Sequence, residues 1–312
     1  MALCQSTRDY LPTNELRLRI VMSSSPRNVL IFANCQGDAL HRVISVIYPK
    51  SKCQYFANYV VAKKYAADLA PDFKDALLSA DVVIYQHLGE DWGAYTTHRH
   101  GVLDNKAIVP GIFSYCADHV TLISFPYIYN DALWPVFQEG NKWKNIECLA
   151  PFARAGLGID VLVELYQASA IDFDYANRMS RSLEIFRRRD SGCTLRAWSY
   201  CAINIFRDRV FSTQNHPSAS VLAHLAAQLV DILEPIPGSY MVWLPSLCEE
   251  VACSAMPGSY PIEHTAAKSY CLRSDYCAGE HLLQATSEHW SKVVASAYSS
   301  ILVTEGCQWE RI

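Results

Sequence analysis

The run from Asn28 to Ile47 constrains the fold of this chain more than any other segment. Residues 28–33 form a nearly continuous apolar stretch, which is typical of a β-strand buried on both faces. The tetrapeptide Asn34-Cys35-Gln36-Gly37 follows at once. After it, apolar residues recur with the i, i+3, i+4, i+7 spacing of an amphipathic helix, at Leu40, Val43, Ile44 and Ile47. We therefore predict a strand, a tight turn that contains the cysteine, and a helix from Asp38 to Tyr48.

The same alternation of strands and helices continues along the chain. Further strands are predicted at residues 81–85, 107–109 and 120–125, and Pro71 is well placed as the first residue of a helix. Strands separated by helical stretches of this length predict βαβ units. The expected fold is thus α/β, with a parallel-sheet core and flanking helices of the doubly wound or SGNH-like kind.

Three segments are predicted from composition and periodicity. Residues 1–26 are polar and end in a serine-rich stretch before Pro26, so we expect an N-terminal extension. Residues 27–312 are predicted to form a single α/β catalytic domain. Within that domain, residues 155–207 are expected to form an inserted helical subdomain, because this stretch contains helical patterns and no convincing strand.

Composition argues against several classes of protein. The chain has 312 residues with 51% hydrophobic and 19% charged residues, as in globular proteins, and its net charge of −4 favours neither nucleic acid nor a membrane surface. We predict no membrane span and no signal peptide, and hence a cytoplasmic protein with reduced thiols; a disulfide-bonded secreted domain is the alternative. The 12 cysteines include no C-x-x-C pair, and the spacing of His98 and His100 is more typical of solvated residues, so no metal site is predicted.

Cys35 is the candidate nucleophile. At the start of a helix the positive end of the dipole is expected to lower the pKa of its thiol, and the N–H groups of Gln36 and Gly37 could hold a developing oxyanion. This is the arrangement of a nucleophile elbow with cysteine in place of serine. The alternative interpretation is that Cys35, like most cysteines, is a small buried hydrophobic residue.

His216 and Gln86 are the candidate partners of Cys35. Pro217 favours a helix start, which predicts His216 at or next to the N-cap, where a neutral ring could act as a general base. Gln86 follows a predicted strand and could donate to an oxyanion. Each residue also has a structural interpretation: His216 as a helix cap, Gln86 as a turn residue that satisfies backbone groups. Loops after the carboxyl ends of parallel strands gather in one crevice, so the fold could bring Cys35, Gln86 and His216 together.

The helix predicted over residues 172–189 ends in three consecutive arginines, Arg187, Arg188 and Arg189. Cations at a helix C-terminus complement the dipole, which makes a solvated helix end one interpretation. The other is that these arginines bind a phosphorylated cofactor. No P-loop or dinucleotide-binding fingerprint is present in the sequence.

The order of these motifs resembles the WcbI-type family of capsular polysaccharide biosynthesis proteins. The resemblance rests on the strand before the Asn-Cys-Gln turn, the strand that ends at Gln86, and Asn215-His216-Pro217, over roughly residues 27–235. The segment 125–129 and the stretch that closes with Arg188-Arg189-Asp190 are similar to the family too. Ala33 departs from the glycine that relatives often have at this point.

The resemblance implies an acyltransferase that uses acetyl-CoA to O-acetylate a sugar of a bacterial capsule. It implies catalytic roles for Cys35, Gln36, Gln86, Asn215 and His216. The predicted coenzyme A contacts are Gly37, Arg188 and Arg189. The expected partners are a sugar or polysaccharide-precursor acceptor and other capsule biosynthesis proteins.

Two other functions stay open at this point. An SGNH-like cysteine esterase or deacetylase would keep the site and pass the acyl group to water. A non-catalytic, glycan-binding member of a capsule assembly complex would use the site for neither reaction. Within the transferase, either Cys35 carries the acetyl group covalently or His216 activates the sugar hydroxyl for direct attack on acetyl-CoA.

Overall fold

The computed structural model of the protein describes residues 27–134, 136–139, 142–233, 243–255, 266, 270 and 280–304. The predicted extension, residues 1–26, lies outside the described residues. The first elements in chain order are β1 (Asn28–Ala33), α1 (Cys35–Ile47), β2 (Lys52–Ala57), α2 (Asn58–Val61), α3 (Pro71–Ser79), β3 (Val82–Tyr85), β4 (His100–Val102), β5 (Ile108–Pro110) and β6 (Thr121–Ser124). They are followed by β7 (Phe137–Glu139), β8 (Lys142–Lys144), α4 (Ala150–Arg154), α5 (Ile159–Gln167), α6 (Tyr175–Ser191), α7 (Trp198–Asn204), β9 (Phe211–Thr213), β10 (His216–Pro217), α8 (Ala219–Leu233), α9 (Leu244–Ala255) and α10 (Glu280–Thr304).

The core sheet has four strands in the order β2-β1-β3-β6, and all three pairings are parallel. Phe32 lies opposite Tyr85, and Tyr85 lies opposite Ser124, so β1, β3 and β6 end at the same edge of the sheet. The strand order changes direction between β1 and β3, since β2 lies on one side of β1 and β3 on the other. Such a reversal opens a crevice at the carboxyl ends of the two strands.

Helices cover both faces of this sheet, which confirms the predicted α/β class with a parallel core. On one face Leu30 and Phe32 of β1 pack with Phe73 and Leu77 of α3 and with Val83 of β3. The first turn of α1 lies against the other face. Apolar side chains on alternate faces of β1 therefore both reach a core, which explains why this strand reads as a continuous apolar run.

Two details of the sheet differ from the sequence prediction. The edge strand β2 was missed, because Lys52-Cys53-Gln54-Tyr55 mixes polar and apolar residues and its side chains are only partly buried. The predicted strand at 107–109 exists as β5, but it pairs antiparallel with β4 instead of joining the parallel sheet. Ile108 is 71% exposed, so this short strand has no buried face with which to enter the core.

The chain divides into two compact units. The first comprises residues 1–128, 186–201 and 215–258, and contains the parallel sheet. The second comprises residues 129–185, 202–214 and 259–312, and contains the β7–β8 hairpin and helices α5 and α10. The single domain over 27–312 with a helical subdomain at 155–207 stays a prediction. Within the described part of the chain, no helix is long and apolar enough to cross a membrane.

Gly37 allows α1 to approach β1 closely. A Cβ atom at this position would lie 2.6 Å from the Cβ of Ala33 and 3.1 Å from Cε2 of Tyr55. Neither neighbour is the flexible end of a long side chain, so added volume here has to move the helix or the strand.

We expect Gly37→Ala to destabilise the protein by about 1–3 kcal/mol, although alanine is the better helix former. Gly192→Ala is the matched control, because a Cβ at Gly192 meets nothing within 4 Å. Urea unfolding of both variants measures the difference. Equal free energies of unfolding for the two variants would contradict the close approach.

Candidate active site

Asn34 sets the start of α1. Its backbone is extended (φ −75°, ψ −164°), and its side-chain oxygen accepts a hydrogen bond from the N–H of Gln36 at 3.0 Å. This is the geometry of an N-cap residue. The helix consequently begins at Cys35, three residues earlier than predicted, and Cys35 occupies the first helical position.

The pKa of the Cys35 thiol is raised, which corrects the prediction that the helix start lowers it. Burial is the largest cause, because it disfavours the thiolate. The backbone N–H groups of Cys35 and Gln36 oppose it by hydrogen bonding to the sulfur, whereas the carboxylate of Asp38 raises the pKa further. The expected dipolar stabilisation is present but is outweighed, so the resting side chain is a neutral thiol at neutral pH.

The side chain of Gln36 is buried and makes four hydrogen bonds. Its amide nitrogen donates to the backbone carbonyls of Ile128 and Asn215, both at 2.7 Å. Its amide oxygen accepts from the N–H of Ile128 at 3.2 Å and from the side-chain nitrogen of Gln86 at 3.0 Å. Two N–H donors and two lone pairs are thus all used within the protein.

Gln86 is equally buried and completes the network. Its amide oxygen accepts from the N–H of Asn34 at 3.0 Å, and its amide nitrogen also donates to the carbonyl of Pro126 at 3.3 Å. The pair Gln36–Gln86 thereby joins the turn after β1, the end of β3, the loop after β6 and the segment that contains Asn215. In this arrangement the side chain of Gln86 satisfies backbone groups of the turn, as in the second of its two interpretations. Its role toward an oxyanion stays a prediction.

The proposed backbone donors of the oxyanion also have protein partners. The N–H of Gln36 is bound to Asn34, and the N–H of Gly37 donates to the carbonyl of Asn34 at 2.8 Å. Any oxyanion at this helix start therefore competes with the N-cap for these two donors.

His216 does not cap a helix, which corrects the prediction that it lies at or next to an N-cap. It lies in the short strand β10 together with Pro217, and α8 begins three residues after it, at Ala219. Its imidazole is half-buried, and Nδ1 is a buried atom without a hydrogen-bond partner. Burial lowers its pKa, so the ring is neutral at pH 7 for a different reason from the one predicted.

Asn215 contributes its backbone carbonyl to the site through the bond from Gln36. The residue that follows Cys35 is consequently held against the residue that precedes His216. Among the predicted catalytic residues, the structure brings Gln36, Gln86 and the backbone of Asn215 into direct hydrogen bonding. Their catalytic roles stay predictions.

Arg188 and Arg189 lie exposed in the last turn of α6, as predicted from the sequence. The guanidinium of Arg189 lies 5.2 Å from the ring centroid of Tyr127, in cation–π geometry. His98 and His100 are exposed. Among the described residues, no group of three or more His, Cys, Asp or Glu side chains is arranged to hold a metal ion.

Sequence reasoning missed three features of this site. The cap by Asn34 had a local signal, since asparagine before an amphipathic helix is a preferred N-cap. Tyr55, whose hydroxyl donates to the carbonyl of Asn34 at 2.8 Å, had none because its strand was missed. The backbone of Ile128, which binds both ends of the Gln36 amide, could not be found from side-chain identity.

Comparison with known proteins identifies one family and one fold. The sequence profile described as the polysaccharide biosynthesis enzyme WcbI matches residues 28–235, about two thirds of the 312 residues. A solved structure of WcbI, described as a novel polysaccharide biosynthesis enzyme in its native form without a disulfide bond between coenzyme A and a cysteine, is similar with a TM-score of 0.53. It is 13% identical, over 88% of this chain and 99% of that chain, so the likeness shows a shared fold. No curated protein matches the sequence significantly.

The raised pKa of Cys35 predicts how its alkylation depends on pH. We expect the rate of iodoacetamide labelling to keep rising through pH ~8.5, the ordinary pKa of a thiol, without a plateau below it. Asp38→Asn removes a cause of the raised pKa and should speed labelling at fixed pH. Peptide mass spectrometry measures the labelling of Cys35 and of Cys53 in the same sample. Cys53 is the internal control: its pKa is raised by burial, so its labelling rate should not change in Asp38→Asn. A labelling rate for Cys35 that reaches a plateau near neutral pH would contradict the raised pKa and support an activated thiolate.

Removal of the Gln86 side chain tests the network. In Gln86→Ala the N–H of Asn34 and the carbonyl of Pro126 lose a partner, so the free energy of unfolding should fall by at least ~1–3 kcal/mol. We also expect faster alkylation of Cys35, because the turn before it loses an anchor. Gln54→Ala, at a partly buried glutamine of β2, is the control. Unchanged stability relative to that control would show that the network does not hold the turn.

Proposed function

The chain belongs to the WcbI family of polysaccharide biosynthesis enzymes, and we propose that it is an acetyl-CoA-dependent O-acetyltransferase. The proposed acceptor is a sugar hydroxyl of a bacterial capsular polysaccharide or its precursor. Cys35 and His216 are the proposed catalytic residues. Coenzyme A is the acyl carrier, in line with its mention for the solved WcbI protein.

The observation that carries this proposal is the bond between Gln36 and Asn215. Through that 2.7 Å contact, the helix start that contains Cys35 is joined to the strand that contains His216. Two observations support a thiolate-stabilising site and a proton acceptor: the backbone N–H groups of Cys35 and Gln36 lower the pKa of the Cys35 thiol, and Nδ1 of His216 is a buried atom without a hydrogen-bond partner. A neutral thiol with a neutral imidazole is the ground state expected when a general base removes the proton during attack.

In the covalent route the thiol of Cys35 loses its proton to His216 as its sulfur attacks the thioester carbonyl carbon. A new carbon–sulfur bond forms at Cys35, the bond from that carbon to the coenzyme A sulfur breaks, and His216 returns the proton to the departing thiolate. A sugar hydroxyl then attacks the acetyl-cysteine, its proton passes to His216, and Cys35 leaves and recovers a proton. Exchange between thioesters is chemically facile, so each step is within reach of this pair.

In the direct route His216 removes the proton from the sugar hydroxyl, which attacks acetyl-CoA while Cys35 only lines the site. The raised pKa of Cys35 supports this version, because a neutral thiol is a poor nucleophile unless a base activates it. The two routes differ in one covalent intermediate. Retained acetyl transfer in Cys35→Ser would exclude the covalent route.

The finer fold and cellular setting are part of the same proposal. The nucleophile directly after β1, at the reversal of strand order between β1 and β3, supports an SGNH-like core. We place the reaction in the cytoplasm, with other capsule biosynthesis proteins as partners that supply the acceptor.

To test the proposal, the protein is incubated with coenzyme A or with acetyl-CoA, without a sugar acceptor. Binding is measured by thermal shift, and acetylation by peptide mass spectrometry. At 100-fold excess over Kd, a ligand that binds only the native state stabilises by about 2.7 kcal/mol, which corresponds to a few degrees in Tm. We expect this shift with coenzyme A and acetyl-CoA. The covalent route adds acetylated Cys35 and stoichiometric release of free coenzyme A. Cys53→Ser, at another half-buried thiol, should retain both signals, while Cys35→Ser should lose the acetylated peptide.

Each outcome has a separate meaning. A shift without acetylated Cys35 favours direct transfer. No shift with either coenzyme A species would overturn the transferase in favour of the esterase or the glycan-binding protein. Those two differ in whether Cys35→Ala and His216→Ala abolish function.

A further inference from the structure

The segment that follows β2 carries a buried amide without a partner. Asn58 is the first residue of α2, and it is only 9% exposed. Its backbone carbonyl accepts from the N–H of Ala62, but among the described residues its side-chain amide has no hydrogen-bond partner. This amide has lost most of its contact with water and gained no bond in the protein, which is unfavourable unless another molecule supplies one.

Capping of α2 does not account for the Asn58 side chain. Ala57 occupies the N-cap position, and no side chain makes a capping hydrogen bond there. The amide of Asn58 therefore takes no part in starting the helix. Its loss should cost the folded protein little, because no hydrogen bond within the protein is broken.

Tyr59, the next residue, presents an aromatic ring to solvent and is 64% exposed. One exposed aromatic residue is unremarkable by itself, since apolar atoms make up much of any protein surface. The face of its ring carries the negative part of the quadrupole, which attracts weakly positive C–H groups. An apolar face next to a polar group that lacks a partner is the usual composition of a small-molecule site.

Both residues lie at the edge of the sheet that carries Cys35. Strands β1 and β2 pair in parallel as far as Ala33, which lies opposite Ala57. Cys35 and Tyr59 each follow that last pair by two residues, and neighbouring strands are about 4.8 Å apart. The two segments consequently leave the sheet side by side.

Tyr55 connects these two segments. Its hydroxyl donates to the carbonyl of Asn34 at 2.8 Å, and its ring stacks on that of His41 with the centroids 6.2 Å apart. Burial is the largest cause that raises the pKa of Tyr55, and both Tyr59 and Cys35 raise it further. The candidate nucleophile and the exposed ring of Tyr59 are thus both neighbours of one fixed hydroxyl group.

We propose that Asn58 and Tyr59 form a subsite for the pyranose ring of the acceptor sugar. The amide of Asn58 binds two neighbouring sugar hydroxyls, one through its N–H and one through its oxygen, and the ring of Tyr59 packs against a C–H face of the sugar. The inference rests on the proposed function in calling this sugar the acceptor. A sugar held here lies beside Cys35, where both routes transfer the acyl group.

The test measures binding of the methyl pyranosides of glucose, galactose and mannose to the full chain. Saturation-transfer NMR titrations are made without coenzyme A. We expect at least one pyranoside to bind, with the strongest saturation on the C–H protons of one face of its ring. Asn58→Ala and Tyr59→Ala should each weaken its binding about tenfold, whereas Tyr59→Phe keeps the ring face and should bind like the wild type.

Val60→Ala is the matched control, because Val60 is 65% exposed on the same short helix and lies outside the proposed subsite. It should leave pyranoside binding unchanged. Thermal unfolding separates a ligand-binding role of Asn58 from a structural one. Asn58→Ala should lower Tm less than Gln86→Ala does, since the Gln86 amide has protein partners and the Asn58 amide has none among the described residues. An equal loss of Tm would overturn the inference.

Failure of the inference and failure of the proposed function give different results. If no pyranoside binds the wild type, or if Val60→Ala weakens binding as much as Tyr59→Ala, the inference is overturned and coenzyme A binding still supports the proposed function. If Asn58→Ala and Tyr59→Ala weaken coenzyme A instead of the pyranoside, the subsite belongs to the carrier and the inference is overturned. If a pyranoside binds as expected and no coenzyme A species does, the transferase fails, while the sugar subsite stands as part of an esterase or a glycan-binding protein.

Discussion

The buried hydrogen-bond pair between Gln36 and Gln86 is the interaction on which the candidate site depends. Besides binding each other, these two amide side chains bind five backbone groups. The backbone groups come from the turn after β1, the loop after β6 and the segment before His216. Buried polar groups are costly when unpaired and stabilising when fully paired, so such a network specifies one arrangement of its loops. The parallel sheet supplies the frame, and the amide pair sets how the loops at its carboxyl edge meet.

Burial decides the chemical state of the candidate catalytic pair. It raises the pKa of the Cys35 thiol and lowers the pKa of the His216 imidazole, so both are neutral near pH 7. A helix start alone would favour a thiolate, and the N–H groups that do so are present in α1. The desolvation outweighs them because Cys35 lies partly within the protein rather than at a solvated helix end. The same packing that positions the sulfur thus determines how it has to be activated.

The predictable part of the fold is the part with a strong hydrophobic pattern. The strand at residues 28–33, the strand that ends at Tyr85 and the helix that begins at Pro71 were found because their side chains are buried on known faces. Strand β2 was missed since an edge strand buries less and carries a mixed sequence. The predicted pairing of β5 was wrong because strand pairing depends on distant parts of the chain, and the three residues of this strand do not encode it.

The sequence by itself determined that Cys35 lies between a buried strand and a helix, that Gln86 follows another buried strand, and that a histidine lies before α8. These are local facts, set by the period of the apolar residues and by turn chemistry. The tertiary structure decided that the amide of Gln86 binds backbone groups and Gln36, that His216 lies in a strand rather than at a cap, and that Arg189 stacks on Tyr127. Hydrogen-bond partners and desolvation depend on groups distant along the chain. A local sequence pattern contains no information about which of these groups contact a given residue in the folded protein.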